Sequence, residues 1–230
     1  MGYEQKRTER GNVLFLILIA VALFAALSYA VTQSTRGGGN ADDETSLISS
    51  AALTQYPAGL STTLLRMSFN GVTDSGALFN PPSDDTNCTL ATNLGDCIFF
   101  SDGGGASYQL ASSNVMDGGG SGTWVFNSDN EILNVGGDAG DGTTNETIAF
   151  LVDIKLSVCT KINSELGIGS TIPDEDDATY AINQDGIVAY VQDLTPAVIN
   201  GTGGELAGQP FGCFEDSADG YVYYHTLSEN

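Results

Sequence analysis

The sequence predicts an α+β protein: an N-terminal hydrophobic helix, then a second helix packed on a small, mainly antiparallel β-sheet head. A long apolar run near the N-terminus predicts the first helix, and leucines at helical spacing before Gly71 predict the second. Beyond residue 71, short apolar bursts alternate with stretches rich in Gly, Asp, Asn and Ser, which is typical of short strands joined by turns. Loop-rich insertions and two disulfides complete the predicted head.

The apolar run extends from Asn12 to Tyr29, and no charged residue lies between Arg10 and Arg36. A helix rises about 1.5 Å per residue, so roughly 20 such residues cross the hydrocarbon core of a bilayer. Apolar residues occupy every side of this helix rather than one stripe, which argues against a core helix of a soluble domain. We therefore predict a transmembrane helix over residues 12–36.

The formal net charge is −22, and residues 37–230 hold 27 of the 29 acidic residues but only three of the seven basic ones. Such an acidic surface repels polyanions, so nucleic-acid binding is not expected. Three basic residues precede the apolar run and one follows it, which favours a cytoplasmic N-terminus and export of the remainder.

Residues 1–11 form a short segment that ends in the basic sequence KRTERG. An ordinary secretory signal cleaved after Ala30, or an uncleaved anchor, fits these residues. A basic leader that ends in Gly11 and passes at once into the apolar run also resembles the class III leader of type IV prepilins and type II secretion pseudopilins. This resemblance implies cleavage after Gly11 by a prepilin peptidase, methylation of Asn12 and retention of the apolar helix.

The resemblance further implies a non-enzymatic structural subunit of the bacterial inner membrane, single-pass, with a cytoplasmic N-terminus and a periplasmic head. After assembly it would enter a periplasmic or extracellular filament, in which the helix from Asn12 to Tyr29 contacts other pilin-like subunits. Most pilins carry glutamate at the fifth mature position, where its carboxylate pairs with the N-terminal amine of a neighbouring subunit. That position here is Leu16, which favours a minor or tip subunit over a major pilin.

The predicted organisation is a basic leader (1–11), a transmembrane or filament-core helix (12–36), a glycine hinge (37–40), an amphipathic helical segment (41–70) and an acidic extracytoplasmic head (71–230). Two other functions fit the same residues. One is a single-pass, membrane-anchored binding module that does not polymerise, and the other is an exported hydrolase that uses acidic residues. The sequence lacks a GxSxG elbow and phosphate-binding glycine spacings, and we predict no enzymatic activity.

Helical spacing predicts two apolar patches on the second helix. They are Leu47, Ile48, Ala51, Ala52 and Tyr56 in the first half, and Leu60, Leu64, Leu65 and Phe69 in the second. Asn40 or Asp42 is expected to cap the start, Pro57 to end or kink the helix, and Gly71 to cap its end.

Further along the chain we predict a hairpin in which residues 123–126 and 131–135 flank a turn at 127–130. A buried strand at 147–152 follows, then a helix that ends at Gly167, a hairpin of residues 178–182 and 187–191, and a last strand at 221–226. The face of the predicted helix comprises Leu156, Cys159, Ile162, Asn163 and Leu166. The spacing of Cys159, Ile162, Asn163 and Leu166 before Gly167 is similar to an arrangement found in pilin-like heads.

Four cysteines follow the apolar run, and none lies in a CxxC pair, so a zinc site is not expected. Export implies two disulfides, for which three connectivities are possible. We favour Cys88–Cys97, which closes a short loop, and Cys159–Cys213, which ties a helix to the C-terminal region.

Oxygen-rich side chains cluster at Asp138, Asp141, Asn145 and Glu146, and a second acidic run spans residues 174–177. Calcium binds six to eight such oxygens, so the first cluster is a calcium candidate. Neither run has EF-hand spacing, and we favour solvated loops and no cofactor. The single histidine, His225, lies in an aromatic strand, where a structural role is expected.

Overall fold

The computed structural model describes residues 10–34, 38–73, 76–83, 87–88, 94–136, 146–169, 171–175, 197–200, 203–216 and 220–229. Within these residues it contains helices α1 (Arg10–Ser34), α2 (Gly38–Phe69) and α3 (Leu156–Glu165). The strands are β1 (Val125–Ile132), β2 (Glu146–Leu151), β3 (Ala197–Ile199), β4 (Phe211–Asp216) and β5 (Gly220–Ser228). The chain divides into two compact units, residues 1–45 and 46–230. These elements confirm the α+β class.

The strands form one sheet in the order β3-β1-β2-β5-β4. The β1–β3 pair is parallel, and the β1–β2, β2–β5 and β4–β5 pairs are antiparallel. The predicted mainly antiparallel sheet is therefore confirmed. So are the buried strand predicted at 147–152, which matches β2, and the last strand predicted at 221–226, which lies within β5.

Alternate side chains of the strands enter two separate hydrophobic clusters, one on each face of the sheet. Phe126, Leu151 and Tyr223 pack with the buried residues of α2 and α3 in the first cluster. Phe150 and Tyr224 belong to the second cluster, with apolar residues of the chain after α3. Because both faces are covered, β2 is buried along its whole length.

The buried face of α2 includes only part of the predicted apolar patches. Leu53, Leu60, Leu64 and Met67 recur at intervals of three, four and seven residues and lie in the first cluster. Leu47, Ile48, Leu65 and Phe69 are exposed, as are Ala51 and Ala52. Six of the nine residues in the predicted apolar patches are therefore exposed, because the sequence offers apolar residues on more than one side of α2.

Helix α2 begins earlier than the predicted segment of residues 41–70, and Pro57 does not end it. Residues 38–40 of the predicted glycine hinge are helical, and residue 37 lies outside the described residues. Gly38 and Gly39 occupy the first turn, where backbone N–H groups have no intrahelical partner in any case. Pro57 lies inside the helix and is buried. The buried leucines on both sides of Pro57 offset the loss of one backbone hydrogen bond.

Both glycine caps predicted at helix ends are confirmed. Gly71 has φ +92°, and the Val72 N–H donates to the Met67 carbonyl at 3.2 Å. Gly167 has φ +76°, and the Ile168 N–H donates to the Asn163 carbonyl at 2.9 Å. Each is a Schellman motif, which requires the left-handed conformation that glycine adopts most readily.

The hairpin predicted around residues 127–130 is wrong. These residues lie within β1, which is continuous from Val125 to Ile132 and pairs with β2. The pairing register shifts between Asn127 and Asn130, so the polar residues form an irregularity in the strand rather than a turn. The hairpin predicted at 178–182 and 187–191 lies outside the described residues.

The disulfides Cys88–Cys97 and Cys159–Cys213 are both present, as favoured from the sequence. The second joins α3 to β4, the last strand in the sheet order. Segment 173–175 bonds to the outer edge of β4 through Glu215, and the side chain of Asn163 bonds to it through Cys213. The edge of the sheet is thereby covered.

Candidate functional site

Helix α1 presents apolar side chains in every direction. Every residue from 15 to 29 is exposed, including Phe15 at 63%, Leu16 at 59% and Phe24 at 73% of full accessibility. Exposed apolar surfaces of this extent are typical of sites that contact protein or lipid. Gly11 and Asn12, the predicted cleavage junction, lie in the first turns of this helix.

The side chains of α1 are described for residues 15–29. Among the residues that the structure describes, no helix is both long enough and apolar enough to cross a membrane. The transmembrane helix over residues 12–36 stays a prediction.

Of the predicted calcium cluster, the structure describes Glu146. Asp138, Asp141 and Asn145 lie outside the described residues. Glu146 opens β2 and is 1% exposed, and its Oε2 accepts the backbone N–H of Ile132 at 2.8 Å. Within the described ranges, no group of three His, Cys, Asp or Glu residues is arranged to hold a metal ion.

Glu146 is one of two buried carboxylates at the β1–β2 irregularity. Burial raises the pKa of Glu146 to about 7, with a further increase from the neighbouring charge of Glu131, which is fully buried. The hydrogen bond from Ile132 acts in the opposite direction. A proton on Glu146 near neutral pH lowers the cost of burying two acids together.

The same irregularity holds a polar network that the sequence did not predict. Asn130 Nδ2 donates to Asn127 Oδ1 at 2.8 Å, and the hydroxyls of Ser128 and Thr147 lie 3.1 Å apart. These residues are all at most 9% exposed. The run of polar residues at 127–131 was the available signal, but it is equally typical of a turn.

The acidic run at 174–177 contributes to the sheet edge. Asp174 forms a parallel bridge with Glu215, and Glu175 Oε1 accepts the backbone N–H of Asn200 at 2.7 Å. Residues 176 and 177 lie outside the described residues. The described half of this run therefore joins segments of the head.

His225 lies in β5, in the aromatic environment that the sequence indicated. Its ring stacks on Phe211 with centroids 5.3 Å apart, and its Nδ1 lies 2.8 Å from the Tyr223 hydroxyl. Burial lowers the pKa of His225 to about 4, so the imidazole is neutral at physiological pH.

Comparisons of the chain with protein-family models, with curated proteins and with solved structures find no match. Two features of the chain bear most directly on function. One is the apolar helix that follows the basic segment, and the other is the disulfide-linked acidic head.

Proposed function

We propose that this chain is a pilin-like structural subunit, a minor or tip subunit of a type IV pilus or type II secretion-type filament. The observation that carries the proposal is the junction at Gly11 and Asn12. There a basic segment passes without interruption into α1, whose side chains are exposed over residues 15–29. A helix that is apolar on every side requires lipid or other apolar helices around it.

One helix serves both stages of the proposed assembly. Before assembly, α1 holds the precursor in the bacterial inner membrane, with residues 1–11 in the cytoplasm and the head in the periplasm. After the prepilin peptidase cuts at Gly11, the same apolar surface packs against the corresponding helices of other subunits. Leu16 offers no carboxylate to a neighbouring amine, which supports a minor or initiating place in the filament.

The chemistry of the head supports export. Disulfides persist in oxidising compartments such as the periplasm, and the head has two. Its acidic surface also opposes contact with nucleic acid and anionic lipid. These properties suit a domain that faces solvent outside the cytoplasm and carries an adhesive or adaptor role.

The proposal is tested by mass spectrometry of the protein purified from bacterial membranes that contain a prepilin peptidase. We expect a mature chain that starts at N-methylated Asn12. Gly11→Val should block cleavage and preserve residues 1–11, whereas the matched control Gly2→Val should be processed normally. A wild-type chain that starts at Val31, or retains residues 1–11, would overturn the proposal.

Leu16 also favours a second candidate, the membrane-anchored module that does not polymerise, because it lacks the carboxylate used in assembly. This candidate requires an uncut N-terminus. Electron microscopy of sheared cell-surface material separates the two. Labelled subunits in filaments support the first, and label confined to membranes supports the second.

A further inference from the structure

A groove of about 410 Å³ lies between residues 52–63 of α2 and residues 106–109 of the head. Its volume falls within the range of roughly 300–1,000 Å³ found for small-molecule sites. Tyr56 and Gly59 line it from α2, and Ser107 and Gln109 line it from the other side. None of these residues belongs to the apolar helix of the proposed function.

Gly59 opens space in this groove. A Cβ atom built at Gly59 would meet nothing within 4 Å, and Gly59 does not adopt positive φ. Glycine is among the weakest helix formers, yet it occupies the interior of α2. The space it leaves opens into the groove and allows a ligand to approach the helix backbone closely.

The polar groups of the groove are uncharged. The exposed amides of Gln55 and Gln109 each offer two donors and one acceptor, and Ser107 adds a hydroxyl. The Tyr56 hydroxyl accepts the backbone N–H of Gln109 at 3.3 Å, which leaves its own proton to donate. Burial raises the pKa of Tyr56 to about 12, so this hydroxyl stays protonated at physiological pH.

Charge restricts the ligand. No lining residue is charged, while the chain as a whole has a net charge of −22. The surrounding field repels anions, and a cation would find no carboxylate in the groove to pair with. A neutral ligand with several hydroxyl groups fits the amides and hydroxyls, and its C–H surface fits Ala52, Ala106 and the half-buried ring of Tyr56.

We propose that this groove binds a neutral saccharide. This inference rests on the proposed function, because it names a class of ligand for the proposed adhesive role. Binding itself requires neither leader cleavage nor assembly, so the two proposals fail separately.

The test is saturation-transfer NMR on the full-length protein in micelles of dodecylphosphocholine, a detergent without a sugar headgroup. The probes are lactose, cellobiose and N,N′-diacetylchitobiose at millimolar concentration, with sialyllactose as the charged comparison. We expect transfer to at least one neutral disaccharide and little to sialyllactose. Gln109→Ala should raise the Kd of the bound probe about fivefold, the usual effect of losing one hydrogen bond.

Gly59→Leu places a side chain in the groove and should abolish transfer. The matched control is Ala58→Leu, which adds the same side chain at the adjacent exposed position outside the groove and should preserve transfer. Absence of transfer from every neutral probe, or transfer undiminished by Gly59→Leu, would overturn the proposal. A change in oligomer size caused by Gly59→Leu, without saccharide binding to wild type, would instead assign the groove to a subunit contact.

Discussion

Asn163 lies fully buried on α3, and its side-chain amide bonds to the backbone of β4 as a neighbouring strand would. Its Nδ2 donates to the Cys213 carbonyl at 2.8 Å, and its Oδ1 accepts the Cys213 N–H at 3.0 Å. One amide therefore satisfies both backbone groups of a residue on the outer strand of the sheet. The same contact joins α3 to β4 beside the Cys159–Cys213 disulfide.

We predict that Asn163→Ala lowers the free energy of unfolding by about 3 kcal/mol, because it leaves a buried N–H and a buried C=O of Cys213 without partners. Urea denaturation followed by the fluorescence of Trp124, the single tryptophan, measures the change. Ser164→Ala, at the adjacent exposed position, is the control and should change stability by less than about 0.5 kcal/mol. Equal stability of the two variants would show that the amide contributes little.

Sequence reasoning succeeds for single residues whose chemistry allows one role. Gly71 and Gly167 are predictable as helix caps because few other residues adopt positive φ without strain. Asn127 and Asn130 are not predictable as buried residues, since asparagine is typical of turns. In the structure Asn130 Nδ2 donates to Asn127 Oδ1 within β1, and the hydroxyl of the intervening Ser128 contacts that of Thr147 on β2, a residue that only the folded sheet brings close.

At the scale of the element, α2 shows where periodicity is informative and where it fails. Leu60 and Leu64 of one predicted apolar patch are buried in the cluster that α2 shares with the sheet. Leu47 and Ile48 belong to the other predicted apolar patch but are exposed at 46% and 63%. Spacing identifies residues that share a side, but which side is covered depends on packing that local sequence does not determine.

Two glycines of this helical region should respond oppositely to the same substitution. Gly59→Ala should raise the free energy of unfolding by about 0.5–1 kcal/mol, because alanine forms helices better and its Cβ meets nothing there. Gly71→Ala should lower it by about 1 kcal/mol or more, because φ +92° is strained for alanine. Thermal unfolding followed by circular dichroism compares them, and a loss of stability in Gly59→Ala would contradict this account.

At the scale of the whole molecule, the two disulfides constrain loops of different length. Cys159–Cys213 spans 54 residues and Cys88–Cys97 spans 9. Loop-closure entropy assigns about 4 kcal/mol to the longer loop and about 2.6 kcal/mol to the shorter one. All four cysteines are at most 2% exposed, so replacing either pair with alanine removes similar buried volume.

We therefore predict that the double variant Cys159→Ala/Cys213→Ala loses more stability than Cys88→Ala/Cys97→Ala, by about 1–2 kcal/mol. Urea midpoints under non-reducing conditions measure the difference. Wild type in the presence of reductant should approach the less stable double variant or fall below it. The reverse order of the two double variants would mean that loop length does not govern their stability.

The pH dependence of head stability combines two buried groups that act in opposite directions. The pKa of Glu146 is raised to about 7 in the folded head, so between about pH 4.5 and 7 the folded state retains a proton that the unfolded state has lost. In that window stability falls as pH rises. The pKa of His225 is lowered to about 4, so between about pH 4 and 6.5 the unfolded state holds the extra proton and stability rises with pH.

In wild type, the contributions of Glu146 and His225 to the pH dependence of the unfolding free energy should nearly cancel between about pH 4.5 and 6.5. Replacing one of the two residues should make the contribution of the other measurable. Glu146→Gln retains only the His225 effect, so its unfolding free energy, relative to wild type, should rise by about 3 kcal/mol as pH increases across the Glu146 window. His225→Gln removes the opposing effect, and its stability relative to wild type should fall by a similar amount from about pH 4 to 6.5. Urea denaturation at a series of pH values, at constant ionic strength, measures the unfolding free energy of each protein. Taking the difference between variant and wild type removes the contribution of the other acidic residues. If the unfolding free energies of wild type and both variants changed in parallel with pH, the shifted pKa values of Glu146 and His225 would be contradicted.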